Sequence, residues 1–158
     1  MIIFKPHTIF DIVRTYLPHN PIIVEAGAFD GRDTKKFASY WPDCTIHAFE
    51  PVPDIFKKLE LNTVDYFQIK RYPIALSNKN GIATFFVAEK PTNPGIPTQA
   101  GSLLAPKERL THSPIQFPYT IEVPTITLDA WAQQQQIDHV DMIWLDMQGH
   151  ELSVMQAS

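Results

Sequence analysis

Apolar residues recur at helical spacing in several segments of the chain. The first segment follows a capping-box pair, Thr8 and Asp11, and stops before Pro18, which predicts a leading helix within residues 1–20. A proline also blocks continuation of the second segment and suits the first position of the third. The later predicted helices are Arg32–Trp41, Pro53 to about Leu61, a helix capped by Thr127 and running to about Gln136, and one beginning near Gly149.

Short apolar runs rich in β-branched residues lie between these helices. The predicted strands are Pro21–Glu25, Thr45–Phe49, Tyr66–Tyr72 and Asp141–Asp146. Strands that alternate with helices are typical of a parallel sheet covered by helices on both faces. We therefore predict an α/β fold and a single domain over residues 1–158.

The alternation changes after the turn at Ser77–Gly81. Ile82–Val87 is predicted to be an added strand, and seven of the fourteen prolines then fall between Pro91 and Pro124. We expect a long Pro-rich insertion loop over residues 89–124, which is either a binding loop or a poorly ordered surface insertion. Tyr119–Ile126 can form a further strand at its end.

Composition narrows the partners and the compartment. A formal net charge of -4 without a run of Lys or Arg argues against nucleic acid as a partner. Cys44 is the only cysteine, which excludes an intrachain disulfide and favours a reducing compartment. There is no secretion-signal pattern and no apolar run of the roughly 20 residues that span a bilayer, so we expect no membrane contact and a cytoplasmic location.

The turn after the first predicted strand combines glycines with acids. Gly27 and Gly31 bracket it and let the backbone approach a ligand closely. Glu25, Asp30 and Asp33 disfavour an anionic ligand there and favour a cationic one. The alternative is a plain strand-to-helix connection with Asp30 as a cap. The glycine spacing differs from the dinucleotide fingerprint, which makes a nicotinamide-dependent oxidoreductase a weak reading.

Two later turns carry further polar residues at the ends of predicted strands. A carboxylate at Glu50 can accept hydrogen bonds from both hydroxyls of a ribose, and the alternative is a solvated charge at the strand end. Asp146 ends the last predicted strand, and His150 and Glu151 follow where a helix starts. The alternative there is that Asp146 caps the helix and His150 lies on the surface.

These segments, in this order, resemble the FkbM family of S-adenosylmethionine-dependent methyltransferases. The residues that carry the resemblance are VEAGAFDG, AFEPVP, IALSNKNG, TITLDAW and IWLDMQGHEL, between Ile22 and Leu152. The resemblance implies a Rossmann-like class I methyltransferase sheet, S-adenosylmethionine as cofactor, and O-methylation of a hydroxyl on a sugar or small natural product. We assign no metal ligands.

The resemblance also implies the roles of individual residues. Residues 25–31 would hold the methionine part of the cofactor, Glu50 the ribose, and Ala75–Ser77 the adenine, with Asp146 at the crevice between cofactor and acceptor. The cofactor-binding residues predicted in this way are Glu25, Gly27, Ala28, Asp30, Gly31, Glu50, Pro51, Ala75, Leu76, Ser77 and Asp146.

The chain departs from the family pattern in two places. Where the family often has Glu-Gly-Ala-Glu after an aspartate and a hydrophobe, this chain has Gln148, Gly149, His150 and Glu151. The family fold also continues with three more strands, so the sheet is expected to be C-terminally incomplete. Met142–Leu145 would then form an apolar edge, which a homo-oligomer contact can cover.

Transfer of a methyl group to a hydroxyl oxygen requires a base for the released proton. His150 is the first candidate because of its intrinsic pKa, and Asp146 and Glu151 are the alternatives. The rival hypothesis is a non-catalytic, methyltransferase-like module that binds a nucleoside or a partner protein. The missing strands and Gln148 favour that rival, whereas the set Glu25, Gly27, Gly31 and Glu50 disfavours it.

Overall fold

The computed structural model describes residues 8–107 and 114–158. Its helices are α1 (Ile9–Val13), α2 (Arg32–Tyr40), α3 (Pro53–Asn62), α4 (Leu128–Gln135) and α5 (Glu151–Met155). Its strands are β1 (Ile22–Ala26), β2 (Thr45–Phe49), β3 (Ile69–Tyr72), β4 (Ala75–Leu76), β5 (Gly81–Lys90), β6 (Asn93–Pro97), β7 (Gln116–Ile126) and β8 (Met142–Leu145).

The first sheet is parallel and has the strand order β3-β2-β1-β8. Ala26 at the end of β1 is level with Phe49 of β2 and Leu145 of β8, so the carboxyl ends of these strands meet at one edge. β8 is the outer strand, and its side chains are only partly buried. The predicted α/β fold with a parallel sheet is confirmed.

Helices cover both faces of this sheet. Consecutive residues of β1 point to opposite faces, so Ile23 packs with Phe37 of α2 and Leu59 of α3, whereas Val24 packs with Trp131 of α4 and Val154 of α5. Burial on both faces explains why β1 and β2 carry mostly apolar residues rather than an alternating pattern. None of the helices in the described ranges is long and apolar enough to cross a bilayer.

The second sheet has the order β4-β7-β5-β6, and its longest pairing is the antiparallel one between β5 and β7. The predicted strands Ile82–Val87 and Tyr119–Ile126 lie within β5 and β7, whereas the irregular loop predicted over residues 89–124 is wrong for the end of β5, for β6 and for the first residues of β7. Prolines occur in strands at edges and irregularities. Pro94 and Pro97 lie on the edge strand β6, and Pro118 lies where the β5–β7 register shifts. The part of the predicted loop at 108–113 lies outside the described residues.

The leading helix is shorter than its apolar stripe suggests. Thr8 and Asp11 form the predicted capping box, but α1 ends at Val13 rather than close to Pro18. After Val13 the backbone forms hydrogen bonds between residues three positions apart, as in a 3₁₀ turn. The Thr15 amide donates to the Ile12 carbonyl, and the Tyr16 amide donates to the Val13 carbonyl. The Thr15 hydroxyl also donates to the Ile12 carbonyl at 2.8 Å, which satisfies an acceptor that a longer helix would have used.

Candidate functional site

A cavity of about 320 Å³ lies at the carboxyl ends of β1, β2 and β8. This is where ligands bind in open parallel sheets, because strand-to-helix turns leave room and polar backbone there. Its first wall is formed by residues 25–30 after β1, residues 49–52 after β2, and Trp144, Asp146, Met147 and His150 around the end of β8. The second sheet forms the opposite wall.

Glu25 is the most deeply buried acid of this cavity. Its side chain is 2% exposed, and Oε2 has no hydrogen-bond partner among the described residues. Burial raises the pKa of Glu25 to about 8; the Thr34 side chain opposes the shift and the neighbouring charge of Asp33 adds to it. The carboxyl is therefore mostly neutral at pH 7 and has an unused acceptor oxygen.

Gly27 allows β1 and β8 to converge behind the cavity. Its φ is +86°, and a Cβ at this position would lie 2.1 Å from the carbonyl oxygen of Asp146, a separation that backbone atoms cannot accommodate. The amides of Gly27 and Ala28 both donate to the Phe49 carbonyl at 3.0 Å. These contacts fix the first turn against both neighbouring strands.

Glu50 links the first and second turns. Its Oε2 accepts from the amide of Phe29 at 3.1 Å, and its Oε1 accepts from the amide of Val52 at 2.9 Å. Phe29 is held at a φ of 50°, in the left-handed region. Burial raises the pKa of Glu50 to about 7, although the two amide bonds oppose the shift. With a side chain only 5% exposed, Glu50 is not the solvated strand-end charge of the alternative reading.

The other acids of the first turn are paired at the rim of the cavity. Asp30 accepts from the Arg32 backbone amide at 3.2 Å and forms an ion pair with the Arg32 guanidinium at 3.4 Å. Asp33 pairs with Lys36 at 2.6 Å. Because each rim acid has a cation beside it, the charge preference expected of this turn depends mainly on Glu25.

The remaining predicted cofactor residues divide into two groups. Ala28, Pro51, Ala75 and Leu76 line the cavity together with the residues above. Gly31 and Ser77 do not: Gly31 precedes α2 and packs on Thr63 and Leu59, and Ser77 points toward His150.

Asp146 is the most accessible of the three candidate bases. Its side chain is exposed, lines the cavity, and accepts a hydrogen bond from the Gln148 amide. Gln148 therefore serves as a neighbour of Asp146, in the place where the family pattern has an acid.

Glu151 faces its own backbone rather than the cavity. Its Oε1 accepts from the amides of Met147 at 2.8 Å and Gly149 at 3.2 Å. Burial alone would raise the pKa of Glu151, but these accepted bonds lower it below its ordinary value. A carboxylate that is engaged in this way is a poor proton acceptor.

His150 is buried and fixed from one side. Its Nε2 lies 3.1 Å from the Ser77 hydroxyl, and Nδ1 is shielded from solvent without a partner among the described residues. Burial lowers the pKa of His150, against a smaller opposing effect of Glu151, so the imidazole is neutral at pH 7. His150 is thus not the surface residue of the alternative reading.

Sequence reasoning did not identify the residues of the opposite wall. Phe85 and Val87 of β5 and the segment from Thr98 to Leu103 face the strand ends across the cavity. In the sequence these residues are marked only by their position in or next to the Pro-rich stretch. A binding loop was one of the two interpretations of that stretch. The described residues contain no cluster of three or more His, Cys, Asp or Glu side chains that could hold a metal ion.

The parallel sheet with a ligand cavity at its carboxyl edge places the protein among the α/β proteins that bind ligands at strand ends. Residues 25–158 match the model of the methyltransferase FkbM domain, and the chain belongs to that family. The predicted resemblance is confirmed.

Two individual proteins show the extent of the similarity. The chain is 28% identical over 137 residues to the 2-O-methyltransferase NoeI of Sinorhizobium fredii (strain NBRC 101917 / NGR234). That match covers 86% of this chain but 56% of the relative, so the chain spans about half of the relative's length. A solved rRNA methylase from Streptococcus thermophilus is 20% identical with a TM-score of 0.38, covering 48% of this chain and 46% of that one.

Proposed function

We propose that this chain binds S-adenosylmethionine and directs methyl transfer to a hydroxyl oxygen of a small acceptor, a sugar in the first instance. The observation that carries the proposal is the pair of buried acids, Glu25 and Glu50, which line one cavity at the ends of adjacent parallel strands. Membership of the FkbM family and the similarity to a 2-O-methyltransferase support the type of reaction.

The two cofactor turns and the apolar residues next to them in the cavity suit this cofactor. The unpartnered Oε2 of Glu25 is suited to an ammonium group, and each oxygen of Glu50 accepts only one bond and has a lone pair left for a ribose hydroxyl. Val52, Ile55 and Leu76 give an apolar surface for a purine ring. When bound, the cofactor supplies an electrophilic methyl group.

The chain's own contribution is positioning and proton transfer. The Gly27 and Glu50 contacts hold the two cofactor turns at fixed separation, which limits the orientations of bound ligands and lowers the entropic part of the barrier.

Asp146 is the base that we propose for the acceptor proton, because its carboxylate opens onto the cavity. His150 has the better intrinsic pKa, but its Nε2 contacts Ser77 and its Nδ1 is shielded. It can serve only after the ring turns. Glu151 is engaged by two backbone amides and is the weakest of the three.

Calorimetry with S-adenosylhomocysteine, followed by transfer of labelled methyl to a panel of sugars, tests the proposal. We expect saturable binding, no binding of a nicotinamide dinucleotide, and labelled product. Absence of binding would refute the cofactor assignment. Binding without transfer to any acceptor would support the rival, a methyltransferase-like module that binds a nucleoside without turnover.

A further inference from the structure

The wall of the cavity opposite the cofactor turns has no role in the proposal above. This second-sheet wall consists of Phe85 and Val87 of β5 and of Thr98, Gln99 and Leu103 in the segment after β6. It faces the Asp146–Met147 turn, where the acceptor oxygen must lie for its proton to reach a base.

The segment after β6 is fastened at both sides of the cavity. On the β5 side, the Phe86 amide donates to the Ser102 carbonyl at 2.8 Å and the Ser102 amide donates back to Phe86 at 3.1 Å. On the other side, the Ser102 hydroxyl lies 3.2 Å from the Met147 carbonyl, to which it donates. A Cβ on Gly101 would lie 2.6 Å from the Phe85 ring, so the segment passes directly over that ring. Side chains of this segment are therefore presented from a fixed backbone.

Within the described part of the chain, this wall has one polar side chain that makes no hydrogen bond, and it lies on an otherwise apolar surface. The Thr98 hydroxyl is used, because it donates to the Ala88 carbonyl at 3.2 Å and accepts from the Ala100 amide. Gln99 is exposed, and its side-chain amide makes no hydrogen bond within the described ranges. An amide has two N–H donors and a carbonyl acceptor, which matches a hydroxyl that both donates and accepts. Phe85 lines the same cavity, is half-buried and provides an apolar ring surface.

The charges at the rim argue for a neutral ligand. The cations that line the cavity are Arg32 and Lys36, and each is paired with an acid of its own turn, Asp30 and Asp33. An anionic acceptor would have to compete with these carboxylates for its counter-charge. A polyhydroxylated ligand needs no counter-charge and uses the amide and the aromatic face together.

We propose that the second-sheet wall is the acceptor subsite and that Gln99 is a specificity-determining residue for a neutral sugar acceptor. The pyranose ring lies on Phe85, and Gln99 hydrogen-bonds a hydroxyl next to the one that is methylated. This inference rests on the proposed function, since it assigns the acceptor of that reaction.

The test compares the parent protein with Gln99→Ala and with a matched control, Gln134→Ala, which removes an exposed glutamine on α4 away from the cavity. The probes are methyl α-D-mannoside, methyl α-D-glucoside and methyl β-D-galactoside, with catechol as a planar diol that is not a sugar. Transfer of labelled methyl gives kcat and KM, and calorimetry gives the Kd for S-adenosylhomocysteine.

We expect Gln99→Ala to raise KM for the best glycoside about 5- to 10-fold, the effect of one lost hydrogen bond, with kcat and the S-adenosylhomocysteine Kd within about twofold of the parent. Gln134→Ala should match the parent. Equal KM values in all three proteins would overturn the inference. So would a fall in S-adenosylhomocysteine affinity, which would place Gln99 at the cofactor, or a parent that methylates catechol but no glycoside.

A second readout keeps this inference separate from the proposed function. Saturation-transfer NMR of the same glycosides, with protein loaded with S-adenosylhomocysteine, detects acceptor binding without turnover. Glycoside signals in the parent that are lost in Gln99→Ala support the subsite even if no methyl is transferred, in which case only the proposed activity fails. A parent that gives no glycoside signal and no transfer refutes the subsite.

Discussion

Replacing Glu25 by Gln should stabilise the protein more as the pH rises. Glutamine has the size of the protonated acid but cannot ionise, so it imitates the form that burial favours. Since burial raises the pKa of Glu25 from 4.5 to about 8, the neutral carboxyl is the stable form in the folded chain. The associated stability is fully present below pH 4.5 and is lost as the pH rises through about 8.

The magnitude follows from the shift, at about 1.4 kcal/mol for each pKa unit. Between pH 5 and pH 9 the parent should lose about 4 kcal/mol of unfolding free energy through Glu25, a loss that Glu25→Gln does not suffer. Glu50 also has a raised pKa, but it is present in both proteins and cancels in the difference.

Urea unfolding of the two proteins at pH 5 and pH 9 measures this difference. The control is Glu60→Gln, at an exposed position on α3, for which we expect no comparable pH dependence. If the gap in unfolding free energy between parent and Glu25→Gln is the same at both pH values, Glu25 does not sit in the folded protein as a buried neutral acid.

The same substitution, Glu25→Gln, also tests whether Glu25 binds the ammonium group of the ligand. A ligand with an ammonium group binds best to ionised Glu25, so the affinity of the parent for S-adenosylhomocysteine should rise by up to about tenfold per pH unit from pH 6 to 8. Binding should release protons, which calorimetry in buffers of different ionisation enthalpy detects. Glu25→Gln should bind more weakly and lack this contribution.

Three further predictions concern the other turns. Glu50→Ala should weaken S-adenosylhomocysteine binding by about 2 to 3 kcal/mol through the lost charge-assisted bonds, and an unchanged calorimetric Kd would remove the ribose assignment. Gly27→Ala should lower the free energy of unfolding by more than about 2 kcal/mol, whereas Gly95→Ala, which shares the positive φ but has open space around it, should cost only the backbone strain; equal costs would contradict the steric argument. Asp146→Asn should reduce kcat about 100-fold or more while His150→Gln retains the acid limb of the pH profile, and the reverse result would make His150 the base.

The parallel sheet could be predicted because its signals are local. Strands β1, β2 and β8 are short and mainly apolar runs, and prolines or capping residues mark where the helices begin and end. Pro53, for example, stands at the first position of α3, and Thr127 caps α4 as expected. Because such strands are buried on both faces, they can be predicted from their apolar residues without knowing which strands they pair with.

In the second sheet the sequence predicted strands at Ile82–Val87 and Tyr119–Ile126, but it did not predict their pairing, because that pairing joins distant segments. Strand β7 pairs with β5 although more than 30 residues separate Phe86 from its partner Thr120. Without knowledge of the strand order, the prolines of β6 and β7 indicate a loop rather than strands. The edge position of β6 explains why Pro94 and Pro97 are tolerated, and the register shift explains Pro118.

In the candidate site too, the features with local sequence signals could be predicted, and those that depend on distant contacts could not. The positions of Glu25, Glu50 and Asp146 followed from their places at strand ends, where a parallel sheet brings them together. The protonation and hydrogen bonding of the site residues could not be predicted from the sequence, because they depend on contacts between distant parts of the chain. Ser77 and His150 are 73 residues apart, and only their 3.1 Å contact shows that the imidazole is turned away from solvent.

The two buried acids differ in what the fold gains from them. Glu50 is costly to bury, but its oxygens satisfy the amides of Phe29 and Val52, so part of the cost is offset by holding two turns together. Glu25 leaves Oε2 without a hydrogen-bond partner among the described residues, and its burial lowers stability at neutral pH. An apolar residue in its place would stabilise the strand end. A buried acid whose free oxygen lines a cavity is therefore best explained by a ligand that completes its hydrogen bonding, and the ammonium group of the proposed cofactor would do so by donating to the ionised carboxylate.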